Sequence, residues 1–64
     1  MKVKYDKETD VIYISFTENK IAESDEDKPG IILDYDIEGG IVGIEILQAS
    51  KKINQPLKFE YETV

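Results

Sequence analysis

Apolar and polar residues alternate in short blocks along this chain, with the two-residue period of β-strands. Val3-Lys4-Tyr5 predicts a short first strand. Asp6-Lys7-Glu8-Thr9-Asp10 follows as a polar turn with an aspartate at each end, a residue that bonds its own backbone in turns. Val11-Ile12-Tyr13-Ile14-Ser15-Phe16-Thr17 is dense in β-branched and aromatic residues and carries the strongest strand signal in the sequence. The period puts Ile12, Ile14 and Phe16 on one face and Val11, Tyr13 and Ser15 on the other. The first set is expected to face the core, together with Ile32, Ile44 and Ile46.

After a turn at Glu18-Asn19-Lys20, Ile21-Ala22-Glu23-Ser24 begins a weaker strand. It runs into Asp25-Glu26-Asp27, a charge run suited to an exposed sheet edge, and Pro29-Gly30 stops it. Ile31 to Tyr35 has strand length, Asp36-Ile37-Glu38-Gly39-Gly40 offers glycines for a hairpin turn, and Ile41 to Leu47 is its partner strand. Gly43 inside that strand marks a bulge or a close packing neighbour. Gln48 to Ile53 is long enough for one or two helical turns, which Asn54 and Pro56 would end. Leu57 to Val64 alternates again, with Leu57, Phe59 and Tyr61 on one side. The expected fold is mostly β (or small α+β): an antiparallel meander of about five or six short strands with one short helical segment near residues 48–53. Residues 1–64 read as a single small β-rich domain in which 57–64 is a terminal strand able to exchange with a neighbour.

Composition narrows what such a fold can do. The chain has 64 residues, no cysteine and no histidine, so disulfides and the usual zinc sites are closed to it. Fourteen acids against eight lysines give a net charge of −6, which repels nucleic acid and anionic membrane surfaces. The apolar fraction of 41% beside 34% charged residues suits a folded protein. No apolar run approaches the roughly 20 residues of a membrane helix, and no signal-peptide pattern follows Met1, so a cytoplasmic location is expected.

Candidate chemistry is sparse. Asp34, Asp36, Glu38, Gly39, Ile41 and Glu45 fall on the spacing of a calcium loop, which makes Asp34, Asp36, Glu38 and Glu45 the metal candidates. Pro29-Gly30 rules out the helix such a loop needs before it, and a β-hairpin with solvated acids is the favoured reading. On an extended strand Asp34 and Asp36 would share a face about 6–7 Å apart, a geometry that does not wrap a cation. Acid–base catalysis by that pair would need an environment that splits their pKa values. Ser15, Ser24 and Ser50 have no histidine to activate them, and Gly39-Gly40 lacks the lysine of a phosphate loop. Tyr5, Tyr13, Tyr35 and Tyr61 are expected to pack across strands rather than to form one recognition surface. No cofactor and no enzymatic activity are expected.

Tyr5-Asp6, Glu8-Thr9-Asp10-Val11-Ile12-Tyr13-Ile14, Ala22-Glu23-Ser24, Gly30-Ile31-Ile32-Leu33-Asp34-Tyr35-Asp36 and Gly43-Ile44-Glu45-Ile46-Leu47 with Ala49-Ser50 together resemble a small uncharacterised prokaryotic family, domain of unknown function 2283. The resemblance spans residues 4–53. It implies a small β-rich single-domain protein of bacteria or archaea, gives no catalytic residues, and suggests an antitoxin-like role. The leading expectation is therefore an acidic protein-binding module, antitoxin-like, that neutralises a basic partner. Alternatives are a small metal-binding protein using the 34–45 hairpin, or a homo-oligomeric structural protein. The partner is expected to be a basic protein or a second copy in a homodimer, contacted through Leu57, Phe59 and Tyr61 or through Asp25, Glu26 and Asp27.

Overall fold

The computed structural model describes residues 1–53 and 60–64. Its elements are β1 (Lys2–Asp6), β2 (Val11–Ser15), β3 (Glu23–Lys28), β4 (Ile31–Tyr35), β5 (Ile41–Ile46) and α1 (Ala49–Lys52). The strands form one sheet in the order β1-β2-β5-β4-β3, with every neighbouring pair antiparallel. The expected mostly-β antiparallel sheet with one short helix is thus the observed fold, with five strands among the described residues against the five or six expected. Within it β3, β4 and β5 run as a sequential meander. β2 departs from that simple order, because it pairs with β5 and not with β3. The chain leaving β2 is fastened as it turns away: the Phe16 and Thr17 amides both donate to the Val42 carbonyl, at 2.7 and 3.4 Å. It re-enters the sheet where the Ala22 amide donates to Tyr35 O at 2.7 Å. β5 is therefore central, and among the described residues β1 and β3 are the edge strands.

Local chemistry explains the turns. Asp6 Oδ1 accepts from the Glu8 and Thr9 amides at 3.0 and 3.4 Å, so this aspartate closes the β1–β2 turn on itself. Between β3 and β4 only Pro29 and Gly30 intervene, since Lys28 is already opposite Ile31. Proline fixes a negative φ and Gly30 takes φ +82°, the pattern of a type II turn. The β3 ladder slips by one residue between Glu26 and Lys28, which absorbs the mismatch in twist.

Residues paired across an antiparallel ladder share a face, so the registers assign each side chain to a side. One face carries the rows Val3–Ile14–Ile44–Leu33 and Tyr5–Ile12–Ile46–Ile31. The other carries Lys4–Tyr13–Glu45–Ile32–Glu26 and Lys2–Ser15–Gly43–Asp34–Ser24. The first face is the apolar one, and Ile12 at its middle is fully buried, with Val42 and Ala49 the other buried hydrophobic residues. Ile14, Ile44 and Ile46 share that face as expected but are only half-buried.

Two expected core residues are elsewhere. Ile32 points to the opposite face, opposite Glu45 and Glu26. Ile31-Ile32-Leu33 is apolar at both parities, so alternation alone does not say which residue points inward. Phe16 lies just beyond β2 and is 43% exposed, because the strand ends at Ser15, where the chain turns toward the far edge. At the C-terminus, Glu60–Val64 are exposed and join no strand in the single chain. Leu57 and Phe59, which the alternation placed on an exchanging strand, lie outside the described residues.

The burial pattern yields a stability prediction. Ile12→Ala should cost about 2–4 kcal/mol, since it empties a fully enclosed site, whereas Ile32→Ala should cost clearly less. Urea unfolding of the two variants checks the face assignment, and equal losses would contradict it.

Candidate functional site

Two polar arrangements stand out from the sheet. One holds the helix and the other lies on the polar face.

α1 is a single turn and has no side chain of its own at the N-cap, where Gln48 adopts a left-handed conformation at φ 52°. Its first amides are satisfied from forty residues away. The Ala49 amide donates to the Asp10 carbonyl at 2.9 Å, and the Ser50 amide donates to Asp10 Oδ1 at 3.0 Å. The Ser50 hydroxyl donates to Asp10 Oδ2 at 2.7 Å, and the Tyr5 hydroxyl to Oδ1 at 2.8 Å. Asp10 is itself left-handed at φ 57°, which turns its carboxylate and carbonyl together toward the helix. These bonds hold the Asp10 carboxyl below the usual carboxylate range, Ser50 acting most strongly and Tyr5 next. The Tyr5 phenol is raised in turn, chiefly by its bond to Asp10. In the sequence Asp10 read as an aspartate bonding its own turn. The structure gives that work to Asp6 and uses Asp10 as a cap for a distant helix.

On the polar face, Asp34 is fully buried. Ser24 of β3 donates its hydroxyl to Asp34 Oδ1 at 2.6 Å, while buried Oδ2 meets no donor of good geometry. Gly43 is directly opposite Asp34 on β5, and the ring of Tyr13 reaches across it from β2. A Cβ at Gly43 would stand 2.7 Å from the Ile14 carbonyl oxygen and 2.9 Å from the Tyr13 hydroxyl. Glycine here serves a close approach, and the Asp34–Tyr35 slip in the ladder puts a bulge beside it. Glu45 is one diagonal step from Asp34 on the same face. Its carboxyl is pushed up, by burial first and then by hydrogen-bonding and like charge from Asp34. The Tyr13 phenol is also raised, by burial first, then by the charges of Asp34 and Glu45, and last by a hydrogen bond to Asp34.

The four acids of the 34–45 spacing therefore separate. Asp34 and Glu45 come together on the polar face. Asp36 leaves the strand and closes the turn: its Oδ1 accepts from the Gly40 and Glu38 amides at 2.8 and 3.0 Å, and its Oδ2 from the Asn19 side chain at 3.1 Å. Those amides, Gly40 foremost, hold the Asp36 carboxyl below its ordinary value. Glu38 is exposed at the turn. Among the described residues no group of three or more acids is arranged to hold a metal ion.

The partner-binding candidates also divide. Asp25, Glu26 and Asp27 are on edge strand β3, all six residues of which are exposed. Glu26 accepts the Gly30 amide at 3.2 Å. Tyr61 is 78% exposed and, with Met1, Val3, Ile14 and Glu60, lines an open cavity of about 630 Å³. Tyr5 and Tyr35 are on the apolar face and Tyr13 on the polar one, so the tyrosines do not form one surface. Alternation could not single out Ser24, Tyr13 and Ser50, because their importance comes from cross-strand register and a contact forty residues long. Among the described residues no helix is long and apolar enough to cross a membrane.

These features define a class: a small one-sheet antiparallel protein with an apolar face, an acid-bearing polar face and a helix capped from a distant turn. The chain belongs to the family described as protein of unknown function DUF2283, whose model matches residues 2–50. That span takes in all five strands together with Asp10, Asp34, Glu45 and Ser50. No curated protein and no solved structure matches the chain.

Two substitutions probe this geometry. Gly43→Ala should destabilise by about 1–3 kcal/mol, because the backbone of Ile14 cannot yield to a new methyl; chemical denaturation reads it directly. Asp10 carries a lowered pKa, so its contribution is present above the ordinary value of 3.8 and is lost as pH falls through the depressed value. Asp10→Ala should therefore melt well below the wild type at neutral pH and converge with it in strong acid. A constant gap down to low pH would contradict the charge's role.

Proposed function

We propose that this chain is a non-enzymatic protein-binding module of the prokaryotic cytoplasm that takes a basic protein partner along β3, in the manner of an antitoxin. The observation that carries the reading is the edge strand itself. Glu23, Asp25, Glu26 and Asp27 crowd one exposed strand, with Lys28 the only opposing charge on it. A free edge offers unpaired backbone groups to an incoming strand, and a row of like charges keeps the edges of other copies away. The same row attracts a basic chain over a distance of about 10 Å at moderate salt. The net charge of −6 adds a long-range field of the same sign.

The experiment is affinity capture from the native host with two baits, the wild type and a variant carrying Glu23→Gln, Asp25→Asn, Glu26→Gln and Asp27→Asn. A basic protein held by the wild type should lose at least about tenfold in affinity to the variant, and should also weaken as salt rises. A partner retained equally by both baits would overturn β3 as the surface. Recovery of the protein's own copies alone would point to self-association.

A further inference from the structure

We infer that the Glu45 carboxyl is a proton-binding site set against the buried, unsatisfied Oδ2 of Asp34 on the polar face, and that it ties the stability of the sheet to pH. The inference is independent of any partner.

The argument starts from an unsatisfied atom. Asp34 has no exposed surface, and Ser24 supplies a donor to Oδ1 only, leaving Oδ2 buried without one. A buried carboxylate oxygen without a donor costs free energy on the order of 1–3 kcal/mol. The surroundings contain few groups able to relieve it. On β5 the residue directly opposite is Gly43, which has no side chain, and on β4 the neighbour on the same face is Ile32. From β2 the Tyr13 ring reaches over Gly43, and a hydrogen bond to Asp34 adds to the rise of its phenol, yet Oδ2 meets no donor of good geometry. The lysines on this face, Lys2 and Lys4, are on β1 at the far edge, with β2 and β5 between them and Asp34. Glu26 on β3 adds a further negative charge and is turned to the Gly30 amide, and Asp6 lies at the β1 end of the face.

What remains is Glu45, a carboxyl facing Asp34. While ionised it offers only acceptors and a second negative charge. Protonated, it offers the O–H donor that Oδ2 lacks. One proton thus removes a charge, satisfies the orphan oxygen and turns a repulsion into a charge-assisted hydrogen bond. Burial of Glu45 and the charge of Asp34 act in the same direction on its carboxyl.

The sign follows. A carboxyl raised in the folded state adds stability that is complete below its unfolded value, here 4.5, and is lost as pH rises through the folded value. The sheet should therefore weaken toward neutral and alkaline pH through this pair, opposite to the behaviour of Asp10.

Two measurements test the site on the intact chain. The side-chain carboxyl carbon of Glu45 is followed by NMR across pH in the wild type and in Asp34→Asn. In the wild type its midpoint should lie above 4.5, and in Asp34→Asn it should move down toward that value. Melting temperature is then measured for the wild type and Glu45→Gln. The variant should gain about 4–8 °C on the wild type between about pH 4 and about pH 8, because glutamine keeps a donor for Oδ2 at every pH. This arm stands even if Asp34→Asn fails to fold. Unchanged Glu45 titration in Asp34→Asn, or a pH-independent offset for Glu45→Gln, would overturn the site. A saturable shift of the wild-type midpoints on adding manganese or calcium chloride would replace the proton with a metal ion and overturn it equally.

Discussion

The carboxylate of Asp10 is the fastening on which the rest of the molecule depends. A single sheet buries little by itself, and the one helical turn described here is too short to persist without tertiary support. Asp10 gives it that support. It caps the helix amides in place of Gln48, receives the Ser50 hydroxyl and holds the Tyr5 ring at the end of the apolar face. Three hydrogen bonds to Asp10 join the first hairpin to the segment that follows β5, and a fourth, from Tyr5, ties Asp10 within that hairpin. The left-handed backbone of Asp10 is strained for a non-glycine residue, and the surrounding bonds over-determine it.

That fastening also fixes the topology. Once the β1–β2 turn is tied to the start of α1, β2 is positioned beside β5, the strand that leads into the helix. β3 and β4 are then left on the other side of β5, and the acid-rich strand becomes an edge of the sheet among the described residues. The polar face inherits its arrangement from the same order. Tyr13 can cross Gly43 toward Asp34 only because β2 and β4 flank the same strand. The proposed acidic binding edge and the proposed proton site thus both follow from where β5 sits.

The two acid groups illustrate how placement divides chemistry between like residues. Asp10 and Asp36 are surrounded by donors, and their carboxyls are held in the ionised state. Glu45 faces burial and another carboxyl, which push its carboxyl up from the ordinary value. Spacing along the chain grouped Asp36 with Glu45 as candidate metal ligands. Surroundings in the fold give them opposite tendencies and set them to different work.

Much of the fold was legible in the sequence because it is local. The β-branched runs, Pro29-Gly30 and the glycines after Asp36 specify strands and tight turns through short-range sterics, and the strand bounds agree closely with that reading. Family membership was legible too, since the motifs that carry it lie within residues 2–50. Net charge and the lack of cysteine and histidine were likewise properties of the chain alone. Tertiary structure decided what depends on register and on contacts far apart in the chain. Which face Ile32 takes is set by its pairing with Glu45, because an apolar triplet has no preferred parity. Asp34 and Glu45 meet, while Asp36 turns away, because a bulge and a turn intervene between positions that are evenly spaced in sequence. The bond from Asp10 to Ser50 spans forty residues, and no pattern of neighbours encodes it; it exists only once the sheet has brought the first turn to the helix.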